Sequence, residues 1–315
     1  MKQNVEAAIK AGILTRRAIL APLSRDQRTS LLEQLFIDLF GQAHVTLQKW
    51  GALTGQSAQV DTGYIAQFVA SIVLGEPGQG FRGKGDDLAD GSEVKSAANI
   101  SGVDRPRWNH NMGKASEDAK RRADGKPTAS ETYLASPHLF YLLVDRPVGG
   151  PVSDDPVPFR IRAWCLDAQK DAAWRDLVSR YVAQRSGNQY NLQLHPPVGY
   201  DDDVVVNTLG NLDFAEVLLF EARLSLADRS TPTVAWRKEL PQDYLPIAGR
   251  TKPLKYGDPM RPSNLTDAGD LVADATVVAE LFPQLSAARV EDLVSATEEE
   301  LEHAEDNPTP SYLDR

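Results

Sequence analysis

Residues 83–97 read Gly83-Lys-Gly-Asp-Asp-Leu-Ala-Asp-Gly-Ser-Glu-Val-Lys-Ser-Ala97. Asp90-Gly91 is a turn dipeptide between two short runs, so the stretch predicts a β-hairpin. Side chains alternate along a strand, which sends Glu93 and Lys95 to one side and Val94 to the other, into a core. Asp86 stands seven positions before Glu93, and pairing of the two strands would set these carboxylates next to each other beside an ammonium. One or two carboxylates, completed by water and a substrate phosphate, are the usual seat of Mg²⁺. Asp86, Glu93 and Lys95 are therefore candidate catalytic residues, the acids as metal ligands and the lysine as the group that orients or deprotonates an attacking water. The competing reading is a solvated hairpin, because turns collect Asp and Gly and charge blunts sheet edges. The upstream amphipathic helix, the Gly-rich approach and the small run Ser96-Ala-Ala98 favour a site.

Outward from this stretch the chain alternates helices and strands. Residues 3–54 read as helical, with Ser24-Arg-Asp-Gln27 as a capping box. Asp61 caps a further helix whose predicted apolar face is Tyr64, Ile65, Phe68, Val69, Ile72 and Val73. Asn99–Ser136 has weak periodicity and reads as an inserted segment of loops and a short helix. Leu139–Asp145 and Phe159–Cys165 predict two buried, paired strands. Asp167 then caps a helix to about Arg185, and Tyr190–His195 alternates as a strand. This order predicts an α/β fold, a mixed central β-sheet flanked by helices, with a helical N-terminal segment. The expected organisation is a helical segment at 1–60, a core at 61–200 carrying the insert at 99–136, further α/β elements at 201–263, and an acidic C-terminal segment at 264–315.

The formal net charge of -10 is unevenly spread: residues 264–315 hold 13 of the 44 acids but 2 of the 34 bases, leaving the rest nearly balanced. Residues 105–126 run the other way, with Arg105, Arg107, Lys114, Lys120, Arg121, Arg122 and Lys126 against Glu117, Asp118 and Asp124. Such a strip suits phosphate contacts. The single cysteine, Cys165, excludes an intramolecular disulfide and a thiolate zinc cluster and reads as a buried thiol. Met1-Lys-Gln-Asn-Val-Glu6 lacks a secretory apolar core, and no run approaches the roughly 18 apolar residues that cross a bilayer. The expectation is a cytoplasmic protein with no membrane partner.

The succession of helix, acidic turn ending in Glu93-Val-Lys95, strands, helix and last strand resembles the PD-(D/E)XK nuclease superfamily. Gly85-Asp-Asp-Leu-Ala-Asp-Gly-Ser-Glu-Val-Lys-Ser96 is similar to the site segment of type II restriction endonucleases of the MamI type, and the seven-residue gap to that of MutH-like nicking nucleases. The similarity covers residues 61–195. It implies Mg²⁺-dependent hydrolysis of DNA phosphodiesters, with Asp86 and Glu93 as ligands, Asp87 as a rival first ligand, and Lys95 as the water-positioning lysine. The family's proline before the first acid is Gly85 here, and Gln67 stands where some relatives carry an assisting glutamate.

Arg105-Pro-Arg-Trp-Asn-His-Asn111 combines guanidinium forks, an aromatic face and amides, the groups that read bases. Arg105, Arg107, Trp108, Asn109, His110, Asn111 and Lys114 are thus candidate DNA contacts, with Lys120, Arg121 and Arg122 for the backbone. The alternative for Trp108 is packing on the body, and for His110 a structural role. The leading expectation is a restriction endonuclease working as a homodimer on a palindromic or interrupted-palindromic site in double-stranded DNA. A strand-nicking repair enzyme, a non-catalytic DNA-binding protein and an enzyme acting on a small phosphorylated substrate compete with it. No Gly-rich phosphate cradle opens a helix, so no nucleotide cofactor is expected.

Overall fold

Leu139-Phe-Tyr-Leu-Leu-Val-Asp145 lies inside a five-stranded sheet, second in its order, and the strand that contains it is buried along its whole length. The computed structural model describes residues 16–17, 19–56, 60–78, 86–99, 105–145, 159–186, 189–197, 204–207, 210–213, 215–225 and 232–240. Their elements are α1 (Arg25–Phe36), a π-helical segment (Ile37–Gln42), α2 (Ala43–Thr54), α3 (Thr62–Leu74), β1 (Glu93–Asn99), β2 (Trp108–Asn111), α4 (Ala115–Ala123), α5 (Ala129–Ala135), β3 (His138–Asp145), β4 (Phe159–Asp167), α6 (Ala172–Gln184), β5 (Asn191–Leu194), β6 (Val204–Asn207), β7 (Gly210–Asp213), a 3₁₀ turn (Ala215–Val217), β8 (Leu218–Leu224) and β9 (Thr233–Trp236). The chain divides into two compact units, one of Met1–Leu32, Gln67–Gly91 and Ala248–Arg315, the other of Glu33–Ala66 and Ser92–Ile247.

In the first unit Arg28 binds backbone carbonyls: Nε donates to Leu23 O at 2.9 Å, Nη2 to Ala21 O at 3.0 Å and Nη1 to Val73 O at 2.8 Å. One guanidinium so satisfies carbonyls near two helix ends that would otherwise lack donors. Gly75 (φ 74°) ends α3 in the left-handed region, and a Cβ there would lie 2.9 Å from Ala21 Cα, so the position requires glycine. The predicted capping box forms, Gln27 N donating to Ser24 Oγ at 3.3 Å and Ser24 N to Gln27 Oε1 at 3.0 Å.

In the second unit the sheet order is β1-β3-β4-β8-β9, with β1 and β3 parallel and the other pairs antiparallel. The expected pairing of Leu139–Asp145 with Phe159–Cys165 is present, and the mixed α/β class stands. Alternation along β4 directs Trp164 and Leu166 toward Trp174, Leu177 and Val178 of α6. Phe159, on the opposite face, stacks on Phe40 of the π-helical segment at 5.7 Å and meets His44 edge-on at 5.0 Å. Helices therefore cover both faces, and β3 and β4 are buried throughout save Asp167. Cys165 is buried, as expected.

Four local expectations are corrected. The residues before Asp90-Gly91 do not form a hairpin arm: Leu88 makes a single bridge to Gly78, and β1 takes β3 as its neighbour. A turn exists one residue earlier, Gly91 N donating to Leu88 O at 3.1 Å around Ala89-Asp90, with Gly91 at φ 94° after it. On α3 the buried face is Ile65, Ala66, Val69, Ala70 and Val73, while Tyr64 and Phe68 are exposed. The cap of α6 is Asp171, which accepts from Trp174 N at 2.8 Å; Asp167 closes the preceding turn on Gln169 N. The Asn99–Ser136 insert contains a strand and two helices, and that strand, β2, pairs with β5 outside the main sheet. β8 and β9 extend the same sheet as β1. The acidic segment from 264 onward and Asp201–Asp203 lie outside the described residues.

Candidate active site

Gly91 releases the chain into β1, where Ser92 fixes the entry: its hydroxyl accepts from His138 N at 3.2 Å and meets His138 Nδ1 at 3.3 Å. Glu93 then opens the strand opposite Leu139, and Lys95 stands two residues on opposite Tyr141. As the alternation predicts, Val94 is buried on the other side. The Lys95 ammonium donates to Glu93 Oε1, and the two side chains are only 19% and 13% exposed. That leaves a shielded but reachable acid and cation at the start of an edge strand, where the lowered dielectric strengthens their attraction.

Aromatic groups back this pair. Lys95 Nζ lies over the half-buried Tyr133 ring on α5, 5.7 Å from its centroid. Behind Tyr133 stands the fully buried His110, edge-on at 5.3 Å, with Nε2 3.0 Å from the Tyr141 hydroxyl and its ring 5.1 Å from Trp174. Burial, reinforced by the Lys95 charge, holds the His110 imidazole well below its ordinary value, so it is neutral. Burial pushes the Tyr133 hydroxyl up against the opposing pull of Lys95, and pushes the Tyr141 hydroxyl well up. Lys95 is thus the charged cation of a cluster whose other members stay neutral.

The remaining acids of the quoted stretch belong to the first unit. Asp86 is buried, and Asp87 Oδ1 accepts from Gln67 Nε2 of α3 at 2.7 Å. Gln67 thus bonds one of the two rival acids. Among the described residues no three His, Cys, Asp or Glu side chains form a group that could hold a metal ion. Glu93, in the second unit, offers hard carboxylate oxygens of the kind such a cation takes one or two at a time, with water and phosphate in its other positions.

The insert separates its candidate residues by strand alternation. Arg105, Arg107, Asn109 and Asn111 are exposed, whereas Trp108 and His110 are completely buried. Trp108 Nε1 donates to Leu142 O at 3.1 Å and its ring packs 4.7 Å from Tyr141, so neither ring reaches a base from this conformation. The polar-aromatic alternation of residues 107–111 carried that signal. Lys120, Arg121 and Arg122 are exposed on α4; Arg121 Nε donates to Pro127 O at 2.5 Å, and Arg122 lies 3.6 Å from Glu131. Lys114 leans on the Tyr190 ring at 5.5 Å. Arg185 anchors this insert, bridging to buried Asp118 and donating to Met112 O and Gly113 O at 2.7 Å each. Tyr133 carries no signal in the sequence, because its place beside Lys95 arises only in space.

Residues 49–225 match the family model described as MamI restriction endonuclease. A type II restriction enzyme, MamI, of Microbacterium ammoniaphilum is 62% identical over 304 residues, which cover 96% of this chain and 98% of that protein. No solved structure matched the chain.

Proposed function

Since this chain belongs to the MamI restriction endonuclease family, we propose that it hydrolyses phosphodiesters of double-stranded DNA at a specific site with Glu93 and Lys95 at the reacting phosphate. The observation that carries this assignment is the shielded Glu93–Lys95 pair at the start of β1. Mg²⁺, held by Glu93 with Asp86 or Asp87, would when bound supply polarisation of the phosphate and a lowered pKa for water. Lys95, hydrogen-bonded to the neighbouring carboxylate, stabilises negative charge growing on phosphorus oxygens and steadies the attacking water. Ser92 and His138 hold the strand start in place, and Gln67 orients Asp87. These roles follow the PD-(D/E)XK pattern.

In this reading residues 61–200 carry catalysis, with the insert at 99–136 laid along DNA: Arg105, Arg107, Asn109 and Asn111 toward bases, Lys114, Lys120, Arg121 and Arg122 toward phosphates. Residues 201–263 serve recognition or dimerisation, and residues 264–315 are the acidic C-terminal segment. A homodimer matches the two-fold symmetry of a palindromic or interrupted-palindromic site. The test is incubation of the protein with plasmid DNA and Mg²⁺. Discrete linear fragments are expected, and open-circular product alone would favour a nicking enzyme. Glu93→Ala and Lys95→Ala are each expected to slow cleavage at least about 1,000-fold while specific binding in Ca²⁺ persists. Retained cleavage in both would refute the assignment.

A further inference from the structure

Two neighbours of Lys95 differ in chemistry: the Glu93 carboxylate, which accepts its hydrogen bond, and the Tyr133 side chain 5.7 Å from ammonium to ring centroid. A cation on the ring face is stabilised when within about 6 Å of the centroid, and this ammonium lies over the ring inside that range. The ring face attracts an ammonium without adding charge and does not compete with a carboxylate for a hard cation. Its placement is built in: Tyr133 lies on α5, whose first turn is closed by Thr128 and Glu131, with Glu131 N donating to Thr128 Oγ1 at 3.2 Å and Thr128 N to Glu131 Oε2 at 2.7 Å. Its ring is wedged against neutral His110, which is itself fixed by Tyr141 and Trp174.

We propose that Tyr133 is a positioning residue for Lys95, holding the ammonium in place when the Glu93 oxygens are drawn toward a metal ion and substrate. The proposal rests on the function proposed above, since it matters to cleavage only if Lys95 acts at the phosphate. Glu93 alone is a poor fixed anchor, because an acid shared between a lysine and a metal cannot give full strength to both. Tyr133 supplies a second point of attachment from a different element, α5 rather than β1, so the ammonium is held from two directions.

The test uses Tyr133→Leu, which removes the aromatic face, with Tyr133→Phe, which keeps it, and Lys95→Ala. Single-turnover cleavage in Mg²⁺ is expected to fall about five-fold in Tyr133→Leu, the loss typical of one cation–π contact, and to stay at the parent rate in Tyr133→Phe, with unchanged DNA affinity in Ca²⁺. In the metal-free Tyr133→Leu protein, the Lys95 ammonium ¹⁵N signal is expected to exchange with water about five-fold faster. Parent-like cleavage and exchange in Tyr133→Leu, with Lys95→Ala inactive, would overturn the Tyr133 role and leave the proposed function standing. Full cleavage by Lys95→Ala would overturn both. A slower rate accompanied by equal losses in affinity and melting temperature would mark a merely structural tyrosine and also overturn the proposal.

Discussion

The two ends of the parallel pair β1–β3 each carry acids and bases, but in opposite states. At the start, Glu93 and Lys95 are partly open to solvent and hydrogen-bonded to each other. At the far end, Asn99 opposes Asp145, whose Oδ1 accepts from Asn99 Nδ2 at 2.9 Å and whose Oδ2 lies 3.9 Å from the fully buried Arg162. Arg162 also donates to Pro197 O, and on the neighbouring strands Arg160 and Arg223 clasp Glu221 at 2.7 and 2.8 Å. These buried charges are enclosed by protein partners. Burial raises the Asp145 carboxyl despite Asn99 and the arginines, whereas at Glu221 the two arginines outweigh burial and lower the carboxyl. Both ends read alike as charge in the sequence; what separates them is access. A closed network stabilises the sheet, and an open pair can meet a substrate.

The sharpest test exchanges the consequences. Glu93→Ala should remove cleavage by at least about 1,000-fold with little change in melting temperature. Asp145→Ala should instead lower stability by about 3 to 5 kcal/mol, because Arg162 would be left as a buried charge without its acid. Urea titration of both variants beside a cleavage assay reads the contrast. An Asp145→Ala protein of parent stability would erase the distinction between the two ends.

How far the fold and site are legible in the sequence depends on the range of the interactions. β3, β4 and the cap of α3 are legible because apolar runs and caps act locally: Gly63 N bonds Asp61 Oδ1 at 2.8 Å as the sequence implies. The turn at Ala89-Asp90, one residue from its expected place, is equally local. Its hairpin is not, since β1 is paired with β3, which lies 46 positions further along in register. Tyr64 and Phe68 fit a helical stripe, yet the buried stripe runs through Ala66 and Ala70, whose small side chains carry little weight in a hydrophobicity pattern. Trp108 and His110 look like base readers by residue type, and period-two alternation places them in the core. For the site, Glu93-Val-Lys95 is legible as a motif, while Tyr133 is invisible because no spacing ties α5 to β1.

The same contrast between closed and open charge extends to cations. Arg162 is enclosed, whereas Lys120, Arg121 and Arg122 stand in solvent on α4. Replacing all three by Gln should leave stability nearly unchanged and weaken binding on every DNA sequence alike. The slope of log affinity against log salt should flatten by about 0.9 for each phosphate that the variant no longer neutralises. Fluorescence anisotropy across a salt series measures it, and an unchanged slope would place DNA elsewhere.

The smallest effect concerns the neutral histidine behind the open end. His110 sits behind Tyr133 and is neutral because burial and the Lys95 charge both oppose a second positive charge. Its folded value is depressed, so as pH falls through the unfolded value near 6.5 the unfolded chain takes up a proton that the folded one refuses. Stability must then decline with falling pH, by up to about 1.4 kcal/mol per pH unit, until the folded imidazole itself titrates. His110→Gln keeps a polar partner for the Tyr141 hydroxyl and cannot titrate. Urea midpoints at pH 7.5 and 5.5 should therefore fall further apart in the parent than in His110→Gln, the contributions of other groups cancelling in the comparison. Equal shifts in the two proteins would mean that His110 binds its proton as readily when folded. The neutral wall around Lys95 would then not exist.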